Sequence, residues 1–327
     1  MAKWYFDDDG DLNVLDGMTV GIFGYGNQGR SQALNMRDNG VTVIVGSRSD
    51  SSAVQAKEDG FETMSLADAA AGADIMFILL PDEIMAQVYE EHIKPGLVAG
   101  NTLVFASGYN IYFKKIVPDS DVNVLLIAPR MVGRGVREMV IAGKGYPSLV
   151  AVDQDATGNA QGLLIALSKA IGSTMMGVIE SSFEEETVID LFAEQTGYLH
   201  AVRRCYEALT EAGCSPEAVM LELYASGEVR EAADYMMEYG LFEQLKLHSR
   251  TSQYGQYVYG RPSPVAEEAD KLRLRGVIAE IKDGTFAAEW SEVQKDGSAG
   301  LEAGRLAMYN DPMMQKEREL YKLLGRL

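Results

Sequence analysis

Histidine is nearly missing from this chain, with 3 residues in 327. An imidazole relay can draw only on His92, His200 and His248. Cysteine is as scarce. Cys205 and Cys214 lie nine apart in one expected helix and its end. That excludes a disulfide framework and reads as free thiols in a reducing compartment. Basic residues are outnumbered 29 to 48 by acidic ones, for a net charge of −19. Such a balance speaks against nucleic acid and anionic membrane surfaces as partners. It reflects a solvated acidic surface and does not exclude a small basic pocket. No apolar run reaches the roughly 18 residues of a membrane span. The opening MAKWYFDDDGDLN lacks the basic and apolar regions of a signal peptide. The expectation is a cytoplasmic enzyme. Its length leaves room for two domains, and 47% hydrophobic with 24% charged residues is ordinary for one.

The first half of the chain alternates. Continuous apolar runs at 18–23, 41–46, 73–80, 101–106 and 122–128 read as strands buried on both faces of a parallel sheet. Helical stretches separate them, and 149–155 and 175–180 extend the pattern. This predicts a Rossmann-type, doubly wound α/β domain over residues 1–181. From SSFEEETVIDLFAEQ onward apolar residues recur at helical spacing, which predicts an all-α domain over 182–327. Its first helix starts at Ser181 or Ser182, whose hydroxyl can cap it, with Glu184 to Glu186 in the first turn. Further helices are expected at about 216–239, 242–248, 262–283 and 311–325.

GIFGYGNQGRSQALNMRDNG places Gly24, Gly26 and Gly29 directly after a strand and before a helix. The spacing suits a dinucleotide: a tight turn, close approach to pyrophosphate, and helix–strand contact. Tyr25, Asn27 and Gln28 fill the turn, and the helix start supplies amide donors. The second strand ends VGSRSDSS, without an acid placed to hold a ribose 2′-hydroxyl. Arg48, Ser49, Ser51 and Ser52 suit a 2′-phosphate instead, so NADPH is expected ahead of NADH. Asp50 lies in the same loop, either opposing that phosphate or capping the next helix.

Long segments carry a resemblance. FGYGNQGRSQALNMRDNG, LLPDEIMAQVYEEHIKPGL, DATGNAQGLLIALSKAIGST, GVIESSFEEETVIDLFAEQ and TSQYGQYVYGRP together resemble the short form of the ketol-acid reductoisomerase family over nearly the whole chain. The resemblance implies a knotted, all-α second domain, NADPH, two Mg²⁺ ions, and a homodimer with its site shared between subunits. It implies an alkyl shift within a 2-hydroxy-2-alkyl-3-oxo acid, followed by reduction of the resulting 2-oxo acid. Pro81 and Asp82 fall in its cofactor segment. Asp190 and Glu194 match its DLxxEQ metal ligands, four apart and so on one helix face. Ser249 matches a substrate contact.

Departures fall on the chemistry. Ser107 stands where the family has a histidine, and serine is no proton relay near neutrality without a base. Arg130 replaces a lysine and Arg134 the following histidine; arginine keeps the charge but is forked and does not give up its proton. The family's second carboxylate pair is four apart, whereas Glu222 and Glu228 are six apart. On a regular helix that separates them by about 120°. Glu228 is the better match, with Glu222 doubtful and Tyr224 nearest its place. Gln253 stands where the family has a glutamate. His92 reads as surface, His200 lies about 80° off the Asp190 face, and His248 directly precedes Ser249. The pattern predicts an NADPH-dependent reductase of a small anionic 2-oxo acid, ketol or imine whose alkyl shift is altered or lost. A divergent but working reductoisomerase, or a silent nucleotide-binding protein, are the alternatives.

Overall fold

The computed structural model describes residues 2–48 and 50–327. Ser49, one of the expected cofactor contacts, lies outside the described residues. Packing divides the chain into a unit ending at Asp190 and a second unit, Leu191–Leu327.

The first unit is built on one sheet: β1 (Trp4–Tyr5), β2 (Thr19–Phe23), β3 (Thr42–Gly46), β4 (Glu62–Met64), β5 (Ile75–Ile78), β6 (Thr102–Phe105), β7 (Asn123–Pro129), β8 (Ser148–Gln154) and β9 (Val178–Glu180). Their order is β1-β9-β8-β7-β6-β5-β2-β3-β4. Helices α1 (Asn27–Asp38), α2 (Ser51–Glu58), α3 (Leu66–Gly72), α4 (Asp82–Val88), α5 (Tyr109–Tyr112), α6 (Gly133–Ile141), α7 (Ala160–Ala170) and α8 (Phe183–Glu194) follow in chain order. The strand order, not the chain direction, reverses between β2 and β5, which are parallel to each other and to their other neighbours. In such sheets ligands bind beyond the strand ends at that point.

Strand residues alternate between two buried clusters. Ile75, Phe77, Leu125 and Ile127 face one; Met76, Ile78, Leu126 and Ala128 face the other. Two-sided burial explains the continuous apolar runs, since neither face meets water. A fully parallel sheet is not what forms: β8 runs antiparallel to β7, and β1 antiparallel to β9. After β7 the chain makes the α6 excursion and re-enters at the same sheet end, pairing Pro129 with Ser148. The short edge strands β1 and β4 carry too few residues to show a sequence period.

The second unit is helical: α9 (Tyr198–Glu211), α10 (Pro216–Met220), α11 (Glu228–Tyr239), α12 (Arg250–Tyr254), α13 (Pro264–Lys282), α14 (Thr285–Lys295), α15 (Ala299–Tyr309) and α16 (Pro312–Leu323). The single helix expected over 216–239 is broken. A π-helical turn occupies Leu221–Ala225, and Gly227 takes a left-handed φ of 106° before α11 restarts. The segment at 242–248 is a 3₁₀ stretch, Glu243–Leu247. Helices α14 and α15 were not anticipated; each follows a left-handed residue, Gly284 or Ser298, in the DG punctuation.

Candidate active site

The glycine turn closes by steric necessity. Gly24 has φ 100°, and a Cβ there would lie 2.5 Å from the Leu79 carbonyl oxygen. At Gly29 a Cβ would lie 1.9 Å from the Gly24 carbonyl oxygen. Gly26 faces open space, with nothing within 4 Å, so a phosphate can approach its backbone there. Gly26 is also the N-cap of α1, and no side chain caps that helix. Its first amides therefore point toward whatever enters the turn.

A cavity of about 510 Å³ runs from this turn past Pro81 to Arg48 and Ser52. An adjoining cavity of about 600 Å³ shares Ser47 and Arg48 and adds Lys57 and His92. Ser51 lines neither. The Asp50 carboxylate accepts the Ser52 amide at 3.0 Å, so it caps α2. Lys57, seven residues beyond Asp50, was missed because its helix carries no clear sign of a site.

Two turn residues act mainly as braces. The Tyr25 hydroxyl donates to Asp59 at 2.9 Å, and burial followed by that bond pushes the phenol up. Gln28 donates its amide to the Met131 carbonyl at 2.9 Å. Gly133, at the start of α6, packs on Asn27 so closely that a Cβ would fall 2.4 Å from the Asn27 carbonyl carbon. The cofactor turn thus fixes the loop that carries Arg130.

Arg130 is the hub of the other end. Its Nη2 donates to Glu186 Oε1 at 2.7 Å, its Nη1 to Asp190 Oδ1 at 3.0 Å, and its Nε to the Ala128 carbonyl at 3.2 Å. The second Glu186 oxygen accepts the Gly108 amide at 2.7 Å. Only glycine fits at 108, since a Cβ would lie 2.4 Å from the Phe183 carbonyl oxygen. This contact seats the first turn of α8 against the end of β6. There Ser182 caps α8 by accepting the Glu185 amide at 3.0 Å, as the sequence implied. Ser107 precedes Gly108, and its hydroxyl accepts the Tyr109 amide at 3.3 Å.

Glu186 is a further candidate that the motif spacing alone does not single out. The sequence places it among three acids that serve the helix dipole, yet its side chain is only 1% exposed. Burial raises its pKa, against the Gly108 amide and the Arg130 charge. The signal was its place four residues before Asp190, one turn away on the same face. Asp82, at the start of α4, accepts from Asn110 at 3.0 Å. Burial, then the Glu186 charge, pushes its carboxyl up to about 6.

The remaining candidates belong to the second unit or to the end of α8. Glu194 ends α8, one turn beyond Asp190. Glu222 lies on the π-helical turn and Glu228 opens α11, both exposed, so the break puts them on separate helical segments. Ser249 caps α12 by accepting the Ser252 amide at 3.2 Å. His248 pairs with Gln244 at 3.0 Å. Tyr224 donates to Glu317 at 2.5 Å.

Residues 14–177 match the acetohydroxy acid isomeroreductase NADPH-binding domain, and residues 183–325 match the ketol-acid reductoisomerase C-terminal domain. The chain belongs to the ketol-acid reductoisomerase family. It is an NAD(P)H-dependent oxidoreductase of that family. An NADH-preferring ketol-acid reductoisomerase from an uncultured archean is similar at 36% identity and TM-score 0.90, over 98% of this chain and 99% of that one. Two more distant structures share the fold alone. One is a semialdehyde dehydrogenase NAD-binding protein from Cupriavidus necator, at 17% identity, TM-score 0.61, and 81% and 99% coverage. The other is a pyrroline-5-carboxylate reductase from Coxiella burnetii, at 16% identity, TM-score 0.57, and 82% and 98% coverage.

Within the ketol-acid reductoisomerase scaffold, the cofactor cradle is well formed. The magnesium ions expected from the resemblance fare differently. A hard divalent cation takes about six oxygen donors. Here both Glu186 oxygens and one Asp190 oxygen already accept hydrogen bonds, and a guanidinium stands between the two carboxylates. Among the described residues, no group of three or more His, Cys, Asp and Glu could hold a metal. Glu186, with one hydrogen bond on each oxygen, is matched to a guanidinium, while Asp190 keeps its second oxygen clear of it. No helix among the described residues is long and apolar enough to cross a membrane.

Proposed function

We propose that this protein transfers hydride from NADPH to a small anionic carbonyl compound, a 2-oxo acid or ketol (or the corresponding imine), without the family's alkyl shift. The Arg130 guanidinium, fixed between Glu186 and Asp190, carries this reading. Hydride addition to a carbonyl carbon builds negative charge on oxygen. Arginine has five N–H donors, and three are engaged here, which leaves two for a carbonyl or carboxylate oxygen. The turn carrying Ser107 offers a hydroxyl nearby. No histidine stands there to supply the proton that completes the alcohol. Asp82, tied through Asn110 to the same turn and pushed up to about 6, is the acid best poised to give one.

We favour NADPH over NADH because Arg48 and Lys57 line the same cavity, and Asp50, which lines the glycine-turn cavity, caps α2 through one oxygen. The preference of the archaeal relative makes NADH the comparison to run. Glu228 and Ser249 complete the site in this reading, from a second copy of the chain. The homodimer draws support from the large apolar residues that the second unit leaves exposed.

A working ketol-acid reductoisomerase is the second reading. Full-length similarity at 36% identity and the retained one-turn spacing of Asp190 and Glu194 favour it. Cofactor oxidation separates the two. The proposal expects turnover of 3-hydroxy-3-methyl-2-oxobutanoate with EDTA present and silence on 2-acetolactate. Mg²⁺-dependent turnover of 2-acetolactate would overturn it in favour of the second reading.

A further inference from the structure

We propose that Arg130 is a built-in replacement for a divalent cation, so that the Glu186–Asp190 site binds a vicinal-dioxygen anion directly, with no metal between. The inference deepens the reductase reading and rests on it for the class of ligand. Its own basis is the donor count around α8. Glu186 is buried and fully engaged, one oxygen by the Gly108 amide and the other by Arg130. Asp190 gives one oxygen to the same guanidinium, and its side chain is 46% exposed. Arg130 itself is 28% exposed, so its face is reachable from solvent. An incoming divalent cation would meet a fixed positive charge beside the carboxylate it needs. An incoming oxyanion would meet two spare N–H groups in a planar fork, a geometry that pairs with two oxygens at once.

The fork is also held from behind. The Ala128 carbonyl accepts from Nε, the Arg130 amide donates to the Pro147 carbonyl at 2.9 Å, and Gln28 holds Met131. β7, the residue just before β8, and α1 therefore together aim one side chain at α8. A cation on a flexible stem would have no need of such bracing. The arrangement suits a small planar anion with two oxygens on adjacent carbons, the pattern shared by 2-oxo acids and oxalate.

The test uses the full-length protein saturated with NADPH, with Mn²⁺ as the metal probe and oxalate as the anion. Electron paramagnetic resonance should show no Mn²⁺ binding below about 1 mM that Asp190→Asn removes. Calorimetry should show oxalate binding that EDTA leaves unchanged and that Arg130→Lys weakens by about ten-fold. Arg130→Gln, if it folds, should lose oxalate and gain Mn²⁺ binding. Micromolar, Asp190-dependent Mn²⁺ binding to the unaltered protein would overturn the inference, as would oxalate binding lost to EDTA. Neither readout needs turnover. A protein that reduces no 2-oxo acid yet leaves Mn²⁺ free sinks only the reductase reading. One that reduces such acids through Asp190-bound Mn²⁺ sinks only this inference.

Discussion

In the unit ending at Asp190, every residue of β5, β6 and β7 is buried, and two apolar clusters sandwich the sheet. In Leu191–Leu327, by contrast, Tyr259 is 83% exposed, Val265 and Leu323 81%, and Leu199 78%, while one small cluster around Tyr206, Met220 and Leu320 forms the core. The first unit closes its hydrophobic surface internally; the second leaves much of its own for another surface to cover. The chemistry divides the same way. Arg130, Glu186 and Asp190 are locked by hydrogen bonds within the first unit, whereas Glu222 and Glu228 stand exposed on separate helical segments of the second.

The hardest way to break the first unit is at its glycine turn. Gly29→Ala sets a Cβ against the Gly24 backbone, where no side chain can yield, and should cost about 3 kcal/mol of stability. Gly26→Ala points into open space and should leave the melting temperature unchanged while weakening NADPH binding about ten-fold. Calorimetry on both variants checks the contrast. Equal melting temperatures would mean that the two glycines are not distinguished by packing.

Arg130→Ala comes next, because it leaves the Glu186 carboxylate buried without its cation, a loss of about 3 kcal/mol. The matching change in the other unit, Glu228→Gln, touches an exposed side chain and should stay within about 0.5 kcal/mol. Urea denaturation of the two variants measures the difference between a closed site and an open one. In the second unit the sensitive property is assembly. Val265→Glu and Tyr259→Glu should raise a dimer dissociation constant by about ten-fold, read by sedimentation, with little change in the cofactor affinity of the first unit. An unaltered assembly would show that these faces are not where a second copy sits.

The smallest effect is a pH dependence. Asp82 is raised in the folded state to about 6 from the usual carboxylate value, and Glu186 is raised in the same direction. Between those pH values the folded protein holds more protons than the unfolded one, so stability falls as pH rises from about 4 to 6. Asp82→Asn should flatten that slope in melts taken across the interval, and a slope unchanged by the substitution would remove Asp82 as its source.

Much of the first unit was legible in the sequence. Two-sided apolar runs gave the strands, the glycine spacing gave the cradle, and the serines before FEEE gave the start of α8. What escaped was what local spacing does not carry. The antiparallel turn-back of β8 depends on where α6 returns the chain. The break at Gly227 depends on a left-handed residue that a helical period treats as one more position. Glu186 shares the one-turn spacing to Asp190, but its burial, which sets it apart from Glu184 and Glu185, is not written in the local sequence.

By itself, then, the sequence determined the features that depend on near neighbours along the chain: strand and helix periods, caps, the nucleotide turn, and the one-turn spacing of Glu186, Asp190 and Glu194. Tertiary structure alone decided that Arg130 would meet Glu186 and Asp190, 56 and 60 residues further along. The physical reason is adjacency of strand ends. β6 and β7 lie side by side, Gly108 admits α8 against the first, and the end of the second delivers the guanidinium into the gap.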